Sequence, residues 1–467
     1  MAAPGASSLL KEVESEVGAS RKEEAVDAAL KALVAKGPPL EVIRSAARGA
    51  APHYDGVGPR GLALLASAAN LFPVLQPRFH ALPTLQAVAF VAAERRSPTA
   101  AKPARVVSGE ITHLGRSFLF AVRAGDLPEA ESIFLGMVDE RSERKMAGDM
   151  LFRSAVEDMG ESGRKFFLAV KSWQFARSLG FRDARAILRP AVQYLVKGPR
   201  DRTSYETIMA VLGKEWVDLD SLAAGGRPLD EAGRSKVRGI ASAANPSACV
   251  AATLATLHDG YAAASIAEGL AVEAATCVVA SSGYDVGTAR ALVFAHAARF
   301  VLMFSRTPER LYALFQAGLR VNSLGDATIT NDGVRILKEI EIGHPTVRSS
   351  QPSIGIAAKA DTTGEGDLLC HLAGEFDARK PMEAASRTQA YVTHGYSASR
   401  LLDVLANYAS RDSAVANDGI NLLLADVCAT EFLATKAPEV AMALAKMIAA
   451  SPKDQAAYAA WTPVLVA

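Results

Sequence analysis

The apolar positions between residues 262 and 305 recur every three to four residues and predict two consecutive helices at the centre of the chain. In the first of these helices, Ile266, Leu270 and Cys277 share one face. Glu273 falls on the same face, so a carboxylate interrupts an otherwise apolar stripe. The pattern therefore places a charge on a surface that is predicted to pack in the core.

Both central helices have identifiable ends. Ser265 and Glu268 have the spacing of a capping box, which predicts the start of the first helix. Thr288 is predicted to cap the second helix, which runs from Ala289 to Ser305 and is apolar on every side. Because a helix without a polar face is typical of a protein interior, we expect the other elements to pack around it.

Helical periodicity continues along most of the chain, with Gly and Pro at the breaks. The chain is 50% hydrophobic but only 6% aromatic, so Ala and Leu supply most of its apolar content, which favours helix over sheet. No fixed repeat length runs through the sequence. The prediction is an all-α protein of irregular helical hairpins packed around a buried central helix, without a regular solenoid period. Near the C-terminus the pattern predicts helices at about 367–377, 382–393, 397–409, 419–435 and 438–450.

Segments rich in Pro, Gly and charge divide the chain into three predicted subdomains. These are an N-terminal helical subdomain at 1–105, a helical hairpin subdomain at 106–200, and a central and C-terminal helical subdomain at 235–467. The third contains a stretch without helical periodicity at about 343–366. A connection of that length predicts a lid, a binding loop or a disordered segment.

The charge balance excludes several functional classes. Lys and Arg total 51 and Asp and Glu total 50, so the chain has no electrostatic footprint for nucleic acid or an anionic membrane.

The N-terminus has early acidic residues and no apolar signal segment, so we expect a soluble cytoplasmic protein. The four cysteines form no CxxC pair, and the motifs of dinucleotide, nucleotide, serine-hydrolase and zinc-protease sites are absent. The oligomeric state is left open by the sequence.

His296 and Arg299 are the polar exceptions in the central helix, and their spacing makes them neighbours. Together with Glu273 they bring an imidazole, a guanidinium and a carboxylate into the predicted core. One interpretation is a structural ion pair, since a buried charge requires a partner. The other is a catalytic pocket, in which His296 acts as acid or base, Arg299 stabilises an anion or enolate, and Glu273 orients them both.

Glu110 and His113 form an ExxH spacing, which places both side chains on one face of a helix. Di-iron proteins with helical bundles use this spacing for their metal ligands, so the pair is a candidate metal site. The sequence leaves the cofactor unknown, with two alternatives: no cofactor, or iron. The further glutamates that such a site requires are not identified by the sequence.

Three segments resemble a known group of helical proteins. They are KFFLAVKSWQFARSLGFRDARAILRPAVQYL, SIAEGLAVEAATCVV and TARALVFAHAARFVLMFSR. They resemble parts of the questin-oxidase-like proteins and the related helical region that precedes some Rieske domains, over about residues 60–430. The chain has Tyr284, Asp285, Val286 and Gly287 where that group tends to have His-x-Val-Thr. The resemblance implies an all-helical protein connected with oxidative chemistry on an aromatic or polyketide-like substrate, and it assigns no catalytic residue here.

The sequence leaves two functions open. The first is a small-molecule-binding enzyme of specialised metabolism, with an oxidoreductase as the class that the resemblance implies. Its partner would be a small organic molecule. The alternative is an all-helical scaffold or binding protein without catalytic activity.

Overall fold

The chain is helical throughout the parts that the structure, a computed structural model, describes: residues 5–102, 105–139, 144–325 and 364–466. Within these ranges it is 75% helical, with 23 α-helices and no strand, which confirms the predicted all-α class. Of the stretch without periodicity predicted at about 343–366, positions up to 363 lie outside the described residues. The three predicted subdomains stay a prediction.

The helices follow one another with short connections. In chain order they are α1 Ala6–Gly18, α2 Lys22–Val34, α3 Pro39–Ala50, α4 Arg60–Leu71, α5 Ala81–Ala93, α6 Ile111–Ala124, α7 Leu127–Asp139, α8 Arg144–Val156, α9 Gly160–Ser178, α10 Ala184–Lys197, α11 Thr203–Lys214, α12 Leu219–Ala223, α13 Glu231–Ala241, α14 Pro246–His258, α15 Ala263–Ala280, α16 Val286–Phe304, α17 Leu311–Asn322, α18 Glu365–Asp377, α19 Pro381–Thr393, α20 Ala398–Ala409, α21 Ile420–Thr435, α22 Pro438–Ala450 and α23 Ala456–Val466.

The predicted central helix is α16, and its ends differ from the expectation. Asp285 caps it by accepting hydrogen bonds from the backbone N–H groups of Gly287 and Thr288, at 2.8 Å and 3.3 Å. Thr288, the predicted cap, therefore lies inside the helix. The capping box predicted for α15 is also absent, because α15 begins at Ala263 without a side-chain cap. Propensity and packing are sufficient to start α15 where a cap is missing.

Helices α4, α9, α16 and α21 form the part of the core that positions the candidate sites. Their N-terminal halves line one cleft. Farther along, the Asn70 amide of α4 donates to Gln174 of α9 at 3.3 Å and to Asp426 of α21 at 3.2 Å. Since early turns meet early turns and later turns meet later ones, these helices run in the same direction. All four therefore begin at the same end of the core.

Two of the described helices are long and apolar enough to cross a membrane, namely α15 and α16. Half of the apolar window of α15 and 72% of that of α16 are buried inside the protein. The core helix of a soluble protein can have the same length and hydropathy, so these two properties do not decide between membrane and solution.

Candidate functional site

His296 and Arg299 meet in the core, as their spacing predicts, and they share one carboxylate. The Nδ1 atom of His296 lies 2.7 Å from Oε1 of Glu431, and the Arg299 Nε–H donates to Oε2 of Glu431 at 2.9 Å. The side chains of His296, Arg299 and Glu431 are only 5%, 10% and 1% exposed. We call these three residues the buried triad.

The packing of α16 against α21 builds the triad. His296 and Arg299 lie one turn apart on α16 and face the last turns of α21, where Glu431 is the acid on an otherwise apolar side. Arg299 also donates from Nη1 to the Met303 sulfur at 3.2 Å. The Nε2 atom of His296 is buried and has no hydrogen-bond partner among the described residues.

The pKa values of two carboxyl groups, Glu431 and Glu268, are shifted in opposite directions by this arrangement. Burial acts to raise the pKa of Glu431, but the hydrogen bond from His296 and the charge of Arg299 outweigh it and hold that pKa below its ordinary value. Burial raises the pKa of Glu268 on α15, with Arg299 lowering it and Glu431 raising it further. The triad is therefore built around an ionised Glu431, with Glu268 within electrostatic range of its charges.

Glu273 does not occupy the position predicted for it. It is half-buried on α15, where its charge helps to raise the pKa of the Cys277 thiol to about 11 after the larger effect of burial. The hydrogen bonds described for His296 and Arg299 go to Glu431 and Met303 instead. Periodicity predicted that Glu273 lies on a packed face, but the carboxylate that His296 and Arg299 share was decided by which helix packs on α16.

The lowered pKa of Glu431 makes its contribution to stability dependent on pH. In a Glu431→Gln variant, we expect the loss in free energy of unfolding to be largest at neutral pH, where the wild-type carboxylate is ionised. The loss should shrink as the pH falls below 4.5, the ordinary value, because the folded wild-type protein must then protonate a carboxylate that its neighbours hold ionised. Urea unfolding of both proteins across this pH range measures the difference, and a loss that stays constant would contradict the assignment.

Glu110 and His113 are exposed, and their side chains do not form the predicted metal-binding face. Glu110 precedes α6 as its N-cap, and its carboxylate accepts from the backbone N–H groups of Thr112 and His113 at 2.9 Å and 2.7 Å. Because Glu110 lies outside the helix, the spacing that would align the two side chains does not apply. The described residues contain no cluster of three or more metal-ligating side chains, so they do not fit the iron site that the spacing suggested.

A cleft opens where α4, α9, α16 and α21 begin. The empty space in and in front of it amounts to about 590 Å³, open solvent included. Apolar side chains form its floor, among them Phe90, Phe167 and Phe294. Three arginines line it, Arg60, Arg164 and Arg290, one each from α4, α9 and α16. We call it the arginine cleft.

The charges of the arginine cleft are only partly balanced. Asp418 forms ion pairs with Arg60 and with Arg290, the latter at 3.1 Å. Arg164 lies 3.1 Å from a carboxylate oxygen of Glu161. Three guanidinium groups thus face two carboxylates, so the lining keeps one positive charge in excess.

The backbone on two sides of the arginine cleft adopts left-handed conformations. Glu161, Ser162 and Gly163 have φ values of 52°, 62° and 80° at the start of α9, and Asp418 has a φ of 57° before α21. A Cβ atom at Gly163 would lie 2.5 Å from a ring carbon of Phe294, so only glycine fits there. Non-glycine residues in this region cost about 1 to 3 kcal/mol each, and such residues cluster at binding sites.

Our sequence reasoning missed Glu431 and the three arginines. Glu431 had a detectable signal, since it is an acid in an apolar helical segment just as Glu273 is. The arginines had a weaker one: Arg60 and Arg164 are the first regular helical residues of α4 and α9, where a cation is disfavoured by the helix dipole, and Arg290 lies in the second turn of α16. Nothing in the sequence indicates that the N-terminal parts of these helices meet.

Comparison with family models, with curated proteins and with solved structures found no match to the chain.

Proposed function

We propose that the protein binds a small organic anion in the arginine cleft, with the apolar body of the ligand on the aromatic floor and its acidic group among the guanidiniums. The observation that carries this proposal is the convergence of Arg60, Arg164 and Arg290 over an apolar floor. Arginine presents planar donors that suit carboxylate and phosphate groups.

The position of the arginines supports a role in binding rather than in stability. Cations near helix N-termini are unfavourable, by about 0.3 to 1 kcal/mol at an exposed site, because the positive end of the helix dipole repels them. Arg60 is the first residue of α4 and Arg164 directly follows the left-handed turn at the start of α9, whereas Arg290 lies in the second turn of α16. Local rules of this kind are broken mainly at functional sites, and an anion placed in the cleft would relieve the repulsion.

The floor of the cleft favours a flat or bulky apolar body over an aliphatic chain. Phe90, Phe167 and Phe294 contribute rings, and Leu64 and Leu423 complete the apolar lining. Aromatic rings contact one another with geometric preferences that an aromatic ligand could satisfy. This lining is compatible with the aromatic or polyketide-like substrate implied by the questin-oxidase resemblance. Oxidoreductase activity, a role in specialised metabolism and a cytoplasmic location remain predictions.

The proposal is tested by titrating the protein with 2-naphthoate and with the uncharged 2-naphthamide in a calorimeter. We expect the carboxylate to bind more tightly than the amide, and each of Arg164→Gln and Arg290→Gln to weaken its binding by about ten- to a hundredfold. That is the effect of losing one hydrogen bond to a charged group, about 1.5 to 3 kcal/mol. Binding should also weaken with added salt.

Arg177→Gln is the matched control, because Arg177 is exposed at the opposite end of α9. It should leave the affinity for naphthoate unchanged. Equal affinity for the acid and the amide, or equal affinity in all three variants, would show that the guanidiniums do not recognise the ligand. If neither probe binds, the alternative of a scaffold without a small-molecule ligand is favoured.

A further inference from the structure

Asp418 is shared by two of the three arginines that line the arginine cleft. Its Oδ1 atom pairs with Arg60, and its Oδ2 atom accepts a hydrogen bond from Nη2 of Arg290 at 3.1 Å. One carboxylate thus bridges two guanidinium groups. The third guanidinium, that of Arg164, has an acid of its own in Glu161. The excess positive charge of the lining therefore lies at the bridge between Arg60 and Arg290.

The pair of Arg164 and Glu161 forms a separate unit. The Oε2 atom of Glu161 lies 3.1 Å from Nη1 of Arg164, and the same oxygen accepts a hydrogen bond from the hydroxyl group of Tyr194. Tyr194 is buried, so its hydroxyl group holds the carboxylate from the protein side. Glu161 is therefore engaged by Arg164 and Tyr194 and does not balance the charge at the Asp418 bridge.

The backbone at Asp418 directs its carboxylate to the two arginines. Asp418 and Gly419 are both left-handed, with φ values of 57° and 73°. The preceding residue is anchored, because the carbonyl oxygen of Asn417 accepts a hydrogen bond from the Tyr284 hydroxyl group at 3.1 Å. Asp and Asn are the side chains that tolerate the left-handed region best. Asparagine at position 418 can therefore keep the backbone and remove only the charge.

We propose that Asp418 sets the charge of the ligand, so that the arginine cleft selects monoanions such as carboxylic acids over dianions such as phosphate monoesters. This inference rests on the proposed function of the cleft. The acid group of the ligand would bind the N–H groups of Arg60 and Arg290 that Asp418 does not use, and would neutralise the single excess charge. A second negative charge on the ligand would have no cation to balance it, and Asp418 would repel it.

The test compares 2-naphthoate with 2-naphthyl phosphate, which carry the same ring system with one and with two negative charges. Calorimetric titration at pH 8 and low ionic strength keeps the phosphate dianionic, because its second pKa is about 6. The wild-type protein should bind naphthoate more tightly. In Asp418→Asn, binding of naphthoate should tighten about fivefold and binding of naphthyl phosphate about twenty-fivefold, because loss of the carboxylate removes one repulsion for each ligand charge.

Asp418→Gly is a second variant, since glycine also adopts the left-handed backbone, and it should tighten the binding of both probes with the larger gain for the phosphate. The matched control is Asp139→Asn. Asp139 likewise pairs with an arginine, accepting from Nε of Arg185 at 2.6 Å, but it lies outside the arginine cleft. This control should leave both affinities unchanged.

The inference is overturned if the ratio of the two affinities is the same in Asp418→Asn as in the wild type, or if the wild type prefers naphthyl phosphate. Weaker naphthoate binding in Asp418→Asn also overturns it, because Asp418 then only positions Arg60 and Arg290. In each of these cases, naphthoate binding that still depends on Arg290 leaves the proposed function standing. If neither probe binds to the wild type or to the variants, the proposed function and this inference fail together.

Discussion

Replacing Glu431 by alanine is expected to destabilise the protein by about 3 to 5 kcal/mol. The substitution removes the carboxylate that accepts from both His296 and Arg299, and leaves a guanidinium that is 10% exposed without the acid that it pairs with. A buried charge without a partner keeps its full desolvation cost. Urea unfolding followed by circular dichroism at neutral pH measures the loss.

The control for this prediction is Glu231→Ala. Glu231 pairs with Arg234 at 2.8 Å, but both side chains are more than half exposed, so the same substitution should cost at most about 1 kcal/mol. A triple variant with apolar residues at 296, 299 and 431 should recover much of the loss, because no charge is then stranded. If Glu431→Ala is as mild as Glu231→Ala, the buried triad does not stabilise the fold.

Asp426→Ala should destabilise the protein by a similar amount, about 3 to 5 kcal/mol. Asp426 accepts from Lys171 Nζ at 2.5 Å and from the Asn70 amide at 3.2 Å. The side chain of Lys171 is 0% exposed, so removal of the acid leaves an ammonium group in the core that water does not reach. The change in unfolding free energy, again measured with urea, is the readout.

An exposed pair of the same chemistry provides the comparison. Lys31 and Asp27 lie 2.5 Å apart on α2, and each is more than half exposed. Asp27→Ala should therefore cost less than about 0.5 kcal/mol, the usual contribution of such a helical pair. The free energy of unfolding of the double variant Lys171→Met/Asp426→Leu should be closer to that of the wild type than is that of Asp426→Ala. If the double variant is instead the less stable of the two, the loss in Asp426→Ala does not come from the unpaired charge of Lys171.

The buried triad and the Lys171–Asp426 pair lie along the helices whose N-terminal halves form the arginine cleft. Asp426 and Glu431 follow Leu423 of the cleft floor on α21, and His296 follows Phe294 on α16. These buried polar contacts fix how α4, α9, α16 and α21 pack, and therefore where the three arginines lie. This arrangement favours a structural role for the buried triad, the first of the two interpretations that the sequence leaves open, and places the proposed binding site one or two turns away from it.

The sequence by itself determined the helices. In the C-terminal part, the predicted helices at 382–393 and 438–450 correspond to Pro381–Thr393 and Pro438–Ala450. Apolar spacing and helix-ending Gly and Pro act within a few residues, so they can be read from one chain without knowledge of its packing. The same local rule brought His296 and Arg299 together as neighbours one turn apart.

Only the tertiary structure decided what those helices bring together. Glu431 lies 135 residues from His296 along the chain, and it replaced Glu273 as the shared carboxylate because α21 packs on α16. The arginine cleft depends in the same way on four helices beginning at one end of the core. Contacts between helices are set by how side chains interlock over whole surfaces, and the period of a sequence states which face is buried but not which helix covers it.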